Sequence, residues 1–331
     1  MDFGKFAYFE GKIVPFEEAR VSVATHAFLY GTAVFEGIRG FWSEAQGEVF
    51  VFRLPEHMDR LARNARLLRM SLPLSVAESG RLVLDLLRKN DLHCDLYIRP
   101  VLYKSDLRFG VKLFQAQELT IFVAAMAEYM EKSEGLDLCV SSWRRLEDNA
   151  LPGRGKINGA YVNSCLAGDQ ARSNGFDEAV LLNEDGHVSE ASGMNLFLVR
   201  AGRLITTPVT ANILEGITRD SLIAIARREM GIKCEVRPID RTELYVADEA
   251  FICGTAAKVV SVRSVDRRLV ADGATGPLTR RLGELYAKAV RGDLPGFSEW
   301  LTPVFENVSK AAGASVQAVR RAPSQPKMRA K

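Results

Sequence analysis

Residues 96–103 alternate with a period of two. Leu96, Ile98 and Leu102 point one way while Tyr97, Arg99, Val101 and Tyr103 point the other, which predicts a strand with one apolar face. Residues 119–125 predict a second strand. Between 55 and 70 the period lengthens, and Met58, Leu61, Ala65 and Leu68 fall on one stripe of a predicted helix; 77–90 predict another. The pattern breaks at 128–135, a charged run ending in Gly135, as a connection between two domains would. Beyond it the sequence predicts a strand at 136–143 and a helix at 159–174. Two hairpins follow, punctuated by Asp185-Gly186 and Ala201-Gly202. The helix entered at Gly216 ends at Gly231, with Thr218 as capping residue and Asp220 in the first turn; 277–291 form the last helix.

At 331 residues, 47% hydrophobic and 26% charged, the chain has material for two packed cores and the composition of a globular protein. No apolar run approaches the ~20 residues that span a bilayer, and the N-terminus lacks a secretory pattern, so the chain reads as cytoplasmic. Five scattered cysteines without a C-x-x-C pair read as buried thiols. Four distant histidines suggest no metal site. The net charge of +3 belongs to the tail: Lys310, Arg320, Arg321, Lys327, Arg329 and Lys331 follow the last acid, Glu306, and setting them aside leaves 38 basic against 41 acidic residues. The body therefore has no nucleic-acid footprint, and residues 305–331 read as a disordered basic tail. No G-x-G-x-x-G occurs, and each Gly-Lys pair is followed by Phe6, Ile13 or Ile157, which excludes a P-loop.

One lysine stands apart. Lys156 lies in Leu151-Pro152-Gly153-Arg154-Gly155-Lys156-Ile157-Asn158-Gly159, where three glycines read as clearing space beside a long amine. An amine withdrawn from water is favoured as the neutral nucleophile that condenses with an aldehyde or ketone. An enzyme using pyridoxal phosphate needs such a lysine, an anion site for the phosphate, and an acid facing the ring nitrogen. The helix start at Gly216-Ile217-Thr218 offers free N–H groups and a hydroxyl, Glu190 is an acid among small residues between hairpin strands, and Gly254-Thr255 ends an apolar strand. Each alone is an ordinary feature.

Together, in order, they resemble a known family. The run 26–39 (His26-Ala27-Phe28-Leu29-Tyr30 through Phe35-Glu36-Gly37-Ile38-Arg39), His57-Met58-Asp59-Arg60-Leu61, Tyr97-Ile98-Arg99-Pro100, Lys156 with Tyr161, Ser189-Glu190, Glu215-Gly216-Ile217-Thr218-Arg219 and Gly254-Thr255-Ala256-Ala257 are similar to the landmarks of fold type IV, or class IV, pyridoxal phosphate aminotransferases. Within these, the branched-chain amino-acid aminotransferases match best, over about residues 6–303. The resemblance implies an α/β (α+β) fold of two domains, a smaller N-terminal one at 1–127 and a larger cofactor-binding one at 136–304 with a mixed, barrel-like sheet, joined by a loop at 128–135.

It further implies that Lys156 carries pyridoxal 5'-phosphate and moves the proton. Glu190 meets the ring nitrogen and Tyr161 the ring hydroxyl; Arg60, Ile217, Thr218 and Thr255 hold the phosphate, and Leu214 and Gly193 line the ring. Composition and spacing alone do not choose Arg60 over Arg63, Arg66 or Arg69. On the substrate side the resemblance implies Tyr97, Thr255 and Ala256 at the α-carboxylate and Tyr30, Phe35, Val111 and Tyr129 around the side chain. Arg99 would pair with the distal carboxylate of glutamate at an otherwise apolar pocket. The implied reaction exchanges amino groups between leucine, isoleucine or valine and 2-oxoglutarate, in a homodimer or larger homo-oligomer whose neighbouring subunit supplies a pocket loop. Met194, Met126, Phe109 and Arg108 depart from the usual pattern and leave open a D-amino-acid or (R)-amine transaminase, or an aminodeoxychorismate lyase, on the same fold.

Overall fold

A computed structural model describes residues 2–126 and 134–305 of the chain. The alternating run at 96–103 becomes a strand at Leu96–Lys104, inside a nine-stranded sheet whose pairings are all antiparallel. Its order is Leu301–Pro303, Glu48–Phe52, Ile38–Ser43, Leu96–Lys104, Gln117–Ala125, Phe6–Phe9 and Lys12–Pro15. Asp2–Phe3 and Ala33–Phe35 add at the side. The period-two reading holds physically: Leu96, Ile98 and Leu102 are buried with Met58, Leu61 and Ala65 of one helix and Val83, Leu86 and Leu87 of the next.

Among the described residues the α-helices are α1 (His26–Tyr30), α2 (Leu54–Ala65), α3 (Val76–Asn90), α4 (Tyr161–Ser173), α5 (Ile217–Met230) and α6 (Pro277–Arg291). The helix expected over 55–70 divides, because α2 passes into a tight turn at Arg66–Leu68 and Arg69 is left-handed, with φ 52°. α3 starts on a capping box in which Ser75 and Glu78 satisfy each other's backbone N–H groups. The cap expected at Thr218 is instead Gly216, and it provides no side-chain hydrogen bond to the α5 N-terminus.

The second sheet is mixed. Its order is Val188–Ala191, Glu178–Leu182, Leu136–Arg144, Lys258–Val265, Glu249–Gly254, Asn195–Arg200, Arg203–Thr206 and Glu235–Val236, with Arg268–Leu269 beside Lys258–Val265. Leu136–Arg144 runs parallel to both neighbours. Although Val188–Ala191 and Asn195–Arg200 stand several strands apart in that order, the Ala191 N–H donates to Met194 O at 2.8 Å. The sheet therefore curls round into a half-barrel. α4 covers it through Ala167 and Ala171.

Between the sheets, Phe41 and Phe52 of the first share one core with Phe197 and Phe251 of the second and with Leu222, Ile225, Leu282 and Tyr286 of α5 and α6. Replacing a fully buried phenylalanine by alanine costs about 3–5 kcal/mol, so this seam fixes the sheets against each other. Polar ties add direction: Arg53 pairs with Asp220 at 2.6 Å, and Asp95 accepts from both Arg39 and Arg291. Of the five cysteines, Cys139 and Cys253 are buried, but Cys165 is exposed on the outer face of α4, against the reading of all five as buried. Among the described residues no helix is long and apolar enough to cross a membrane.

Candidate active site

A cavity of about 260 Å³ opens where the two sheets meet, and Lys156 lies in its wall. The lysine's loop is stitched to the first sheet: the Phe35 N–H donates to Lys156 O at 3.0 Å, and Val34 bridges Ile157. From there the half-buried amine donates to Tyr161 Oη at 2.6 Å and lies 4.8 Å from the centre of the Phe35 ring. Tyr161 begins α4, so the first turn of that helix fixes the amine's partner.

Gly153 and Gly155 line the cavity beside Lys156, and the loop's glycines have a second use. A Cβ on Gly153 would come within 2.2 Å of Asn212 O, one on Gly155 within 2.6 Å of Leu67, and Gly159 packs against the backbone of Gly31. They let the loop seat against three neighbours.

Glu190 is only 4% exposed, in a fully buried strand. Its Oε2 accepts from Asn195 Nδ2 at 2.8 Å, both oxygens take the Leu214 N–H, and Arg145 Nη2 pairs with Oε1 at 2.8 Å. Burial pushes its carboxyl above the usual carboxylate value, against the pull of Arg145. Gly216 touches the same unit: a Cβ there would strike Asn195 Oδ1. The α5 N-terminus, lined by Gly216, Ile217 and Thr218 and lacking a side-chain cap, faces the cavity beside Gly254, Thr255 and Ala256 at the end of a strand. Uncapped N–H groups at the positive end of a helix are an anion site.

Arg60 closes that end. Its guanidinium forks onto Glu36 through Nε at 2.7 Å and Nη2 at 2.8 Å, while Nη1 donates to Glu215 O at 2.8 Å, just before the helix start. His57 Nδ1 donates to Glu36 Oε2 at 2.8 Å. Burial alone would push the Glu36 carboxyl up, but Arg60 and His57 hold it well below the usual carboxylate range. Burial also lowers the proton affinity of His57.

Opposite, Arg99 Nη2 donates to Tyr97 Oη at 2.7 Å and its guanidinium lies 4.3 Å from the Phe35 ring centre. No described carboxylate pairs with Arg99, and its buried Nε has no partner. Gly37 must be glycine here, since a Cβ would come within 2.2 Å of Tyr97 Oη.

Similarity follows the same geometry. The amino-transferase class IV model matches residues 33–265. The chain belongs to the class IV aminotransferases. A probable branched-chain-amino-acid aminotransferase of Aquifex aeolicus is 46% identical over 302 residues, 91% of this chain and 97% of that protein. The branched-chain amino acid aminotransferase of Thermobaculum terrenum, solved in its PLP form, superposes with a TM-score of 0.87 at 41% identity, covering 92% of this chain and 99% of that one. The branched-chain aminotransferase of Thermoproteus uzoniensis with norvaline gives 0.87 at 39% identity, covering 91% and 99%.

For this class IV aminotransferase the cavity gathers Lys156, Arg60, Tyr161, Glu190, Gly193, Leu214, Ile217, Thr218 and Thr255, with Phe35, Tyr97, Arg99 and Ala256 on the other side. Two expected pocket residues are elsewhere: Tyr30 is 42% exposed and Val111 99% exposed, on the outside of the chain. Tyr129 lies outside the described residues. Of the unusual positions only Met194 lines the cavity; Met126 is buried away from it, and Phe109 and Arg108 are exposed. Sequence reasoning assigned no role to Arg145, Glu36, His57 or Asn195. An acid in the otherwise apolar stretch 33–38 is the signal that could have revealed Glu36; nothing local marks Arg145.

Proposed function

We propose that this aminotransferase exchanges amino groups between leucine, isoleucine or valine and their 2-oxo acids, with glutamate and 2-oxoglutarate as the second pair and pyridoxal 5'-phosphate as cofactor. The observation that carries this reading is Arg99, a cation without a carboxylate partner among the described residues, lying over an aromatic ring in the cavity that holds the Lys156 amine. One pocket must take an apolar side chain and a distal carboxylate in turn. An arginine packed on Phe35 presents an apolar wall to the first and donors to the second.

The residues fit the cofactor's demands: an amine, a buried acid, and an uncapped helix N-terminus with a backed arginine share one cavity. Bound there, pyridoxal phosphate supplies an aldehyde for amine condensation and a ring that withdraws electrons. Ile217, Thr218, Thr255 and Arg60 would bind its phosphate, Leu214 and Gly193 would line the ring, and Tyr161 would hydrogen-bond the ring hydroxyl. Lys156 would anchor the aldehyde and, once released, hold or move the proton at the substrate α-carbon. Glu190 would hold the ring nitrogen. Tyr97, Thr255 and the Ala256 backbone orient the α-carboxylate.

The same reading makes the protein a homodimer or larger homo-oligomer in the cytoplasm. Tyr30 and Val111 would then reach the pocket of a second copy, with Tyr129 beside the substrate side chain. The apolar projections Phe28, Leu107, Phe109 and Val111 on one chain are the surface such a copy would cover. Residues 1–127 and 136–304 form its two domains, joined at 128–135, with Leu301–Pro303 returning to the first sheet.

A half-reaction screen tests the activity. The cofactor's absorbance should convert on adding L-leucine, L-isoleucine, L-valine or L-glutamate, and change little with D-alanine or an (R)-arylalkylamine. Negligible conversion by L-leucine would reject the reading.

A further inference from the structure

Arg145 is nearly buried, lines the cavity and pairs with an acid that has other partners already. Asn195 Nδ2 and the Leu214 N–H also hold the Glu190 carboxylate, yet both are neutral donors. Among the described residues only Arg145 brings a full positive charge into direct contact, at 2.8 Å. Lys156 and Arg219 act on Glu190 from farther off, and Arg219 is itself engaged with Thr206 and Thr207.

The guanidinium is held from behind. Its Nε donates to Asn212 O at 3.0 Å. Asn212 sits in a left-handed conformation, φ 56°, fixed by bonds from its Nδ2 to Glu147 Oε2 at 2.8 Å and Asn183 Oδ1 at 3.1 Å. Gly153, in the lysine's own loop, packs directly on that carbonyl. The arginine is therefore tied to the same carbonyl against which the lysine's loop packs.

We infer that Arg145 is a positioning residue for the ring end of the cofactor: its ion pair makes Glu190 a weaker base than it would be without that charge, and so favours keeping the proton the two share on the ring nitrogen. This rests on the reading of Glu190 as the ring-nitrogen partner. The alternatives are N–H with a carboxylate, or bare N with a carboxylic acid; atoms and net charge are equal and only the proton's position differs. Burial favours the second, neutral arrangement. An adjacent guanidinium favours the first, in which the ring withdraws electrons most strongly. Removing a contacting charge changes a proton's partition about 10- to 1000-fold.

The test uses the full chain loaded with pyridoxal phosphate carrying ¹⁵N in its ring, and reads the nitrogen's chemical shift, which separates protonated from bare ring nitrogen. Wild type and Arg145→Lys should give the protonated signal. Arg145→Met should move it toward the bare value and slow the L-leucine half-reaction about 10- to 1000-fold, while the cofactor's dissociation constant changes far less. Arg145→Gln is read in the same way should the methionine variant not fold. A protonated signal in the foldable uncharged variant overturns the inference. Glu190→Gln separates the two levels: if it moves the signal and the Arg145 variants do not, only the role of Arg145 falls; if it leaves the signal unmoved, the reading of Glu190 falls as well.

Discussion

The cavity's ring-and-phosphate end and its outer rim are built in opposite ways. At the inner end the acids and arginines are answered within the chain: Glu190 by Arg145, Asn195 and Leu214, and Arg60 by Glu36, which also takes His57. At the rim, Arg99 keeps a buried nitrogen without a partner among the described residues, and outside the cavity Tyr30 and Val111 face outward. That outer projection is not loose. His26 is buried, and its Nε2 donates to Gly110 O at 2.9 Å, since a carbonyl only accepts, while Nδ1 pairs with Thr32 Oγ1 at 2.8 Å. The Gly110 N–H in turn donates to Tyr30 Oη at 3.2 Å. Phe109 is 79% exposed on this projection, which is the surface that the proposed second copy would cover. A group that stays for every turnover can be surrounded permanently, whereas a group that exchanges needs an end that remains unfilled.

Substitutions should divide along that line. Lys156→Ala, at the inner end, should lower turnover of every donor alike by at least about 10⁴-fold, since covalent capture and proton transfer are lost together. Cofactor should still bind through the helix start, visible as retained absorbance after gel filtration; near-normal rates would remove the lysine from the chemistry. Val111→Asp, at the rim, should weaken self-association about 100-fold or more by burying an unpaired charge. Sedimentation velocity checks this, and leucine turnover should fall with the assembled fraction. Arg99→Leu should split the donors: kcat/KM for glutamate drops about 10- to 100-fold, the value of a charged hydrogen bond, while leucine changes little. Equal losses would erase the distinction between the two ends.

The smallest effect concerns stability. Burial lowers the proton affinity of folded His57, so the unfolded chain binds more protons, and its contribution is present above the ordinary histidine value of about 6.5 and lost as pH falls below it. Glu36, held below its ordinary range, gives up its contribution at still lower pH. Taking the protein from about pH 7.5 to 5.5 should therefore lower its stability, read as a fall in Tm, and His57→Gln should flatten that dependence.

The strand face of Tyr97 and Arg99, the hairpins and the helices were legible because each depends on a short period or a turn residue a few positions away. Lys156, Glu190 and the α5 start were legible as a set through their order. The early strands Phe6–Phe9, Ile38–Ser43 and Glu48–Phe52 were not read, being short runs whose pairing partners lie elsewhere in the first sheet. Thr218 looked like a cap by residue type, yet Gly216 takes that position and leaves the N–H groups to the cavity.

What the sequence determined by itself is the inventory: one lysine among glycines, an acid on a hairpin strand, an arginine on an apolar strand, and the order that marks the class. Tertiary structure alone decided which charge answers which. Arg145 meets Glu190 only because Leu136–Arg144 and Val188–Ala191 flank Glu178–Leu182 in the mixed sheet, and Arg60 reaches Glu215 only because the two sheets share a core. Local periodicity follows from backbone geometry within a few residues, but an ion pair depends on a distance between remote segments, and that distance is set by packing.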